Sequence, residues 1–97
     1  MANIFVTKKM GVHVDIIATV RILKSDFDEW FLFFESYEHL RKKFVTNEVI
    51  TKISSSEATV SFKVLDIEGL TSLSSSQFLL DGEERLGVTV ELVEKLT

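Results

Sequence analysis

The feature that most constrains this 97-residue sequence is a strictly alternating run from Val12 to Leu23. Side chains of a β-strand point to opposite faces in turn, so the run predicts a long strand. Its apolar face consists of Val12, Val14, Ile16, Ala18, Val20 and Ile22. Its mixed face consists of His13, Asp15, Ile17, Thr19, Arg21 and Leu23. A second layer of structure has to cover the apolar face.

An aromatic-rich helix is predicted to follow, from Asp26 to about Phe44. Asp26 is the predicted N-cap and Glu29 falls three residues later, which is the capping-box arrangement. One side of this helix is apolar and comprises Trp30, Phe33, Phe34, Tyr37, Leu40 and Phe44. The opposite side carries Asp28, Glu35, His39 and Lys42. Leu32 departs from this pattern.

The rest of the chain predicts two strands, a helix, a short helical segment and a final strand. The two strands, 48–54 and 57–65, are joined by a serine turn, and Asp66 can cap a helix that carries Ile67 and Leu70. Residues 77–85 are predicted as a broken helical turn closed by Gly82, and residues 87–96 as the last strand. A short extra strand, 3–8, and a turn at Met10-Gly11 precede the rest.

This order predicts the α+β class and a ferredoxin-like βαββαβ fold, an antiparallel sheet with two helices on one face. Proline is absent and the four glycines are scattered, so no linker divides the chain. We expect one domain, 1–97, in which residues 1–15 extend the core fold.

The second face of the sheet predicts a homodimer. It would carry residues such as Ile17, Leu23, Leu65 and Val93 beside Arg21, a mixture too apolar for water and too polar for a core. Two such sheets packed face to face would bury this surface. The alternative is a monomer with a solvated sheet face.

Composition excludes several classes of function. Cysteine is absent, which rules out disulfides and thiolate metal sites, and the net charge of −4 argues against nucleic-acid partners. No segment approaches the ~20 apolar residues of a membrane span, and no secretory signal is evident, so we expect a cytoplasmic protein without a membrane partner. The basic cluster Arg41-Lys42-Lys43 is interpreted as complementing the helix dipole, with phosphate binding as the alternative.

The residues from Val20 to Trp30 (VRILKSDFDEW), with Phe34 and the triplet Leu40-Arg41-Lys42 downstream, carry a family resemblance. They resemble the dimeric α+β barrel superfamily grouped around antibiotic-biosynthesis monooxygenases, over roughly residues 16–97. The resemblance implies the fold and a dimer more strongly than a reaction, because members include cofactor-free oxygenases, haem-degrading enzymes and isomerases. Relatives often carry a histidine where this chain has Tyr37. His39 lies about 200° around the helix from it and cannot substitute.

Arg41 is the most informative residue of the predicted helix, because it falls only about 20° from Trp30 in the apolar stripe. With Tyr37 it could point into a cavity between helix and sheet and hold an acidic or carbonyl group of an apolar ligand, with Trp30 and Phe34 as walls. Alternatively Arg41 extends to solvent, and the aromatic residues are ordinary core.

Other candidate chemistry is sparse. His13 shares a strand face with Asp15 and could act as a general base in a pocket, or be a surface histidine. The sequence has no metal-ligand cluster, catalytic cysteine, nucleophile elbow, phosphate loop or dinucleotide motif. We therefore expect no metal and no cofactor, and we name no catalytic residue.

Three functions remain open at this point. The first is a small-molecule-binding homodimer whose apolar pocket holds a lipid-like or polyketide-like ligand at Trp30, Phe34, Tyr37, Arg41 and His13. The second is a cofactor-independent monooxygenase or isomerase of the family type. The third is a structural or regulatory module that binds a partner through its sheet face and N-terminal extension.

Overall fold

The computed structural model describes residues 14–94, which form a four-stranded antiparallel sheet with helices packed on one face. The elements are β1 Val14–Ile22, α1 Phe27–Glu35, α2 Glu38–Arg41, β2 Val45–Ser54, β3 Glu57–Val64, α3 Ile67–Ser74, α4 Gln77–Leu86 and β4 Val88–Glu94. The strand order is β2-β3-β1-β4 with antiparallel neighbours throughout. The predicted ferredoxin-like α+β fold is therefore confirmed. The predicted strand 3–8, the Met10-Gly11 turn and His13 lie outside the described residues.

The two faces of β1 follow the sequence alternation. Ile16, Ala18, Val20 and Ile22 are buried against the helices, whereas Arg21 is exposed. On β3, Ala58 and Val60 point to the same side and join the core cluster. The helix-facing side of the sheet is thus a continuous apolar surface.

The first helix is shorter than the sequence predicted. Asp26 caps it as expected, accepting the Glu29 backbone N–H at 3.0 Å, but α1 ends at Glu35 and a separate turn, α2, follows. At the break the Ser36 hydroxyl donates to the Phe33 carbonyl at 2.6 Å, and Tyr37 leaves helical geometry with φ −121° and ψ 23°. Serine hydroxyls compete in this way with the helical hydrogen-bond pattern, and the aromatic stripe gave no sign of it.

The segment predicted as a broken turn is a complete helix, α4, and that prediction was wrong. The Ser76 hydroxyl caps its start and Gly87, at φ +69°, ends it in the left-handed conformation that glycine favours. Gly82 lies inside the helix rather than at its end. A Cβ at position 82 would overlap the Phe33 ring, so the glycine allows α4 to pack closely on α1.

Within residues 14–94, none of the helices has the length and apolar character that crossing a bilayer requires.

We expect Gly82→Ala to destabilise the protein. Alanine is the better helix former by ~1 kcal/mol, but the new methyl group meets the Phe33 ring, and overpacking costs about 1–3 kcal/mol. Urea unfolding followed by circular dichroism would measure the difference, with the exposed neighbour substitution Glu84→Ala as the control. A gain in stability in Gly82→Ala would contradict the prediction, because it would mean that α4 can move away from the Phe33 ring of α1 at no cost.

Candidate functional site

A cavity of about 110 Å³ lies between the helices and the apolar side of the sheet. The sheet contributes Ala18, Val20 and Val60 to its walls, and the helices contribute Leu70 and Leu79. Apolar cavities of roughly 150 Å³ accept benzene-sized molecules. The space therefore suits a group about the size of one aromatic ring.

One wall of the cavity is aromatic. The rings of Trp30 and Phe34 stack with centroids 4.9 Å apart, and Tyr37 meets Phe34 edge-on at 5.7 Å. All three side chains are buried and line the cavity. Arg41 lines the same space, so the structure brings together the predicted candidates Trp30, Phe34, Tyr37 and Arg41.

Arg41 is buried, with 5% of its surface exposed, so it does not extend to solvent as the alternative interpretation had it. Its guanidinium bonds both carboxylate oxygens of Glu48, from Nε to Oε2 and from Nη2 to Oε1 at 3.2 Å. Nη1 donates to the Phe34 carbonyl at 2.6 Å, and Cζ lies 3.5 Å from the centroid of the Phe34 ring. The positive charge at the cavity wall is therefore already paired with a carboxylate.

Glu48 reaches this position because of a β-bulge in β2. Thr46 pairs with Lys63 and Val49 with Ser61, so the register shifts between them, and Asn47 adopts a positive φ of 59°. Asparagine tolerates this left-handed conformation better than most residues. The bulge reverses the alternation, which turns Glu48 towards the cavity and Val49 towards the open face of the sheet. The alternation of residue types in the sequence indicates neither the bulge nor the inward position of Glu48.

Glu83 is a second carboxylate at the cavity, and it was not predicted from the sequence. It lines the cavity from α4, where the buried residues Leu79, Gly82 and Leu86 mark the inward side. Burial raises the pKa of the Glu83 carboxyl above its ordinary value. A charged residue within an apolar helical stripe was the available signal, and it was missed because Gly82 was interpreted as the end of the helix.

Tyr37 supplies a hydroxyl among these charges. Burial raises the pKa of the Tyr37 hydroxyl strongly, the nearby Arg41 opposes the rise, and Glu83 and Glu48 add to it. The hydroxyl therefore stays protonated at neutral pH and can donate a hydrogen bond to a ligand.

Histidine and metal sites add little to this region of the fold. His39 is exposed on the outer side of α2, as predicted, and His13 lies outside the described residues. Within residues 14–94 no three His, Cys, Asp or Glu side chains are grouped so that they could hold a metal ion.

Removing Arg41 should be strongly destabilising. Arg41→Met leaves the Glu48 carboxylate partly buried without its partner, and breaking a buried pair costs about 3–5 kcal/mol, near the lower end here because the Glu48 side chain is 20% exposed. Urea unfolding would measure the loss, and the double variant Arg41→Met/Glu48→Leu should recover much of it.

The control for this prediction is Arg21→Met. Arg21 pairs with Glu91 at 3.8 Å, but both side chains are at least half exposed, so the loss should stay below about 1 kcal/mol. Equal losses at Arg41 and Arg21 would contradict a structural role for the buried pair.

Comparisons with known proteins concern the fold. The chain is similar to the structure of SnoaB, a cofactor-independent oxygenase from Streptomyces nogalater, with a TM-score of 0.64, 9% identity and coverage of 88% of this chain and 92% of that one. The structure of a candidate antibiotic biosynthesis monooxygenase from Caulobacter crescentus CB15 is similar with a TM-score of 0.60 and 10% identity, over 88% of this chain and 91% of that one. The structure of Rv0793 from Mycobacterium tuberculosis is similar with a TM-score of 0.55 and 14% identity, over 89% of this chain and 97% of that one.

No protein-family model and no curated protein sequence matches the chain. At identities of 9–14%, the structural likeness shows a shared backbone fold and does not show a shared reaction. The chain has the ferredoxin-like α+β fold of the antibiotic-biosynthesis-monooxygenase-like proteins, as the resemblance in its sequence implied.

Proposed function

We propose that this chain is a small-molecule-binding protein that acts as a homodimer, with its ligand in the cavity between the helices and the sheet. The observation that carries the proposal is the cavity itself, which combines an aromatic wall of Trp30 and Phe34 with a protonated Tyr37 hydroxyl. Most ligand sites are apolar spaces with a few polar groups that orient the guest.

The ligand's polar end is proposed to be a carbonyl. The sequence left two possibilities for this polar end, an acid or a carbonyl, held in either case by Arg41 together with Tyr37. Since Glu48 already balances the Arg41 charge, the wall offers a hydrogen-bond donor, the Tyr37 hydroxyl, rather than a free positive charge. A lipid-like or polyketide-like molecule would place an apolar, ring-sized part in the cavity, with its carbonyl near Tyr37.

Trp30 makes this proposal testable, because it is the single tryptophan of the chain and lines the cavity. Titration with acetophenone, an aromatic ketone, should shift the Trp30 indole N–H signal in a ¹H–¹⁵N spectrum and saturate. Ala18→Leu extends a side chain into the cavity and should abolish this response.

Thr19→Leu is the matched control, since Thr19 adjoins Ala18 in β1 but points to the opposite face of the sheet. It should bind acetophenone as the unmodified protein does. An indole signal that stays fixed in the unmodified protein at millimolar acetophenone would refute ligand binding at this cavity.

The dimer is proposed to form through the open face of the sheet. Val49, Ser61, Ile17 and Val93 are successive cross-strand neighbours, so a largely apolar row crosses all four strands. Val49 and Val93 are 58% and 56% exposed. Packing against a second copy would remove this row from water, at about 25 cal/mol for each Å² of apolar surface.

Ile17→Lys should convert the dimer to a monomer, because it places a charge at the centre of the proposed interface. Light scattering during size-exclusion chromatography would report twice the chain mass for the unmodified protein and the single chain mass for the variant. Leu32→Lys, at a position that is 67% exposed on the outer side of α1, should leave the dimer intact. A concentration-independent monomer in the unmodified protein would rule out the homodimer.

A second function, cofactor-independent oxygenation, is favoured by the structural likeness to SnoaB, which is described as such an oxygenase. In this reaction a substrate methylene and O₂ would give a carbonyl and water, with the substrate supplying the electrons. Polyketide-like phenols that carry a methylene group, tested with an oxygen electrode, would show uptake above the uncatalysed rate. Oxygen uptake that Ala18→Leu leaves unchanged would exclude the cavity as the site of such a reaction.

A further inference from the structure

Glu83 is placed to act on whatever occupies the cavity. It lies on the inward side of α4, between the buried residues Gly82 and Leu86, and lines the cavity. Tyr37 lines the same cavity. The next residue, Glu84, is exposed on the outer side of the same helix. Two adjacent glutamates thus have different environments.

The charge balance of the cavity gives Glu83 its importance. Among the described residues, the charged groups that line the cavity are Arg41, Glu48 and Glu83. Arg41 and Glu48 are bonded to each other through two hydrogen bonds, so their charges largely cancel for a third group. The carboxylate of Glu83 is the charge that remains.

We infer that Glu83 sets the charge selectivity of this cavity, so that it admits a neutral aromatic carbonyl compound and excludes the corresponding carboxylate. The inference rests on the proposed ligand-binding function. Two like charges in a space of low effective dielectric repel strongly, while Glu83 has no such effect on a neutral ketone. The walls are mostly apolar, so the repulsion is screened less than it would be between two charges on an exposed surface.

The electrostatic effect can be separated from the general cost of burying a carboxylate. Any apolar cavity disfavours an anion, because desolvation alone penalises the charged form. That part of the selectivity should remain when Glu83 is neutralised, whereas the part due to Glu83 should disappear. The deciding measurement is therefore the difference in selectivity between the variants and the unmodified protein, and not the selectivity of the unmodified protein alone.

Acetophenone and benzoate are suitable probes, because they have similar size and shape and differ in charge at neutral pH. Dissociation constants would be measured for both from the Trp30 indole signal in the unmodified protein, in Glu83→Gln and in Glu84→Gln. We expect benzoate to bind at least about a hundredfold more weakly than acetophenone to the unmodified protein and to Glu84→Gln. In Glu83→Gln this ratio should fall about tenfold or more, because benzoate binds more tightly once the like charge is removed.

Glu83→Ala is a second neutral variant in case glutamine disturbs α4, since alanine is the best helix former. Comparable affinities for acetophenone and benzoate in the unmodified protein would overturn the inference and leave ligand binding intact. A ratio that neither Glu83 variant changes would overturn it as well, because the selectivity would then come from desolvation. If neither probe binds the unmodified protein, the proposed function fails and the inference fails with it.

Discussion

The buried guanidinium of Arg41 is the interaction on which the geometry of the cavity depends. It connects its own helical turn, α2, with the carbonyl of Phe34 near the end of α1 and with Glu48 on β2. The last carbonyls of a helix lack intrahelical partners, and a positive charge there also complements the helix dipole. A buried charge is tolerated only when its hydrogen bonds are made, so the positions of these three segments are fixed together.

Much of this arrangement could be predicted from local sequence patterns. The alternation in β1 assigned the correct residues to each face, and Asp26 and Asp66 marked the starts of their helices. Arg41 was identified as unusual because a helical period of 3.6 residues places it among aromatic side chains. Such predictions succeed because they depend on periodicities that the backbone imposes on any sequence.

The rest depended on contacts between segments distant in sequence. Glycine is common at the end of a helix, but Gly82 lies inside α4, where a larger side chain would overlap the Phe33 ring. The break after Glu35 coincides with a bond from the Ser36 hydroxyl to the Phe33 carbonyl, and an exposed serine beside an aromatic stripe does not predict which bond it makes. The partner of Arg41 could not be predicted either, because Glu48 points inwards only when Asn47 adopts a positive φ. Glu83 was missed as a consequence of the error at Gly82.

The bulge at Asn47 links the two sides of the sheet. By one extra residue it directs the Glu48 carboxylate to Arg41 and the Val49 side chain outwards. Deleting Asn47 would place Glu48 directly after Thr46 in a regular strand, so Glu48 would still face Arg41 and Val49 would still face outwards. A strand straightened without the loss of a residue would instead exchange the two side chains, so that an apolar group faced Arg41 and an acidic group faced outwards. The backbone conformation of Asn47 is therefore constrained from both faces of the sheet, and losing it would damage the interior and the outer surface in a single step.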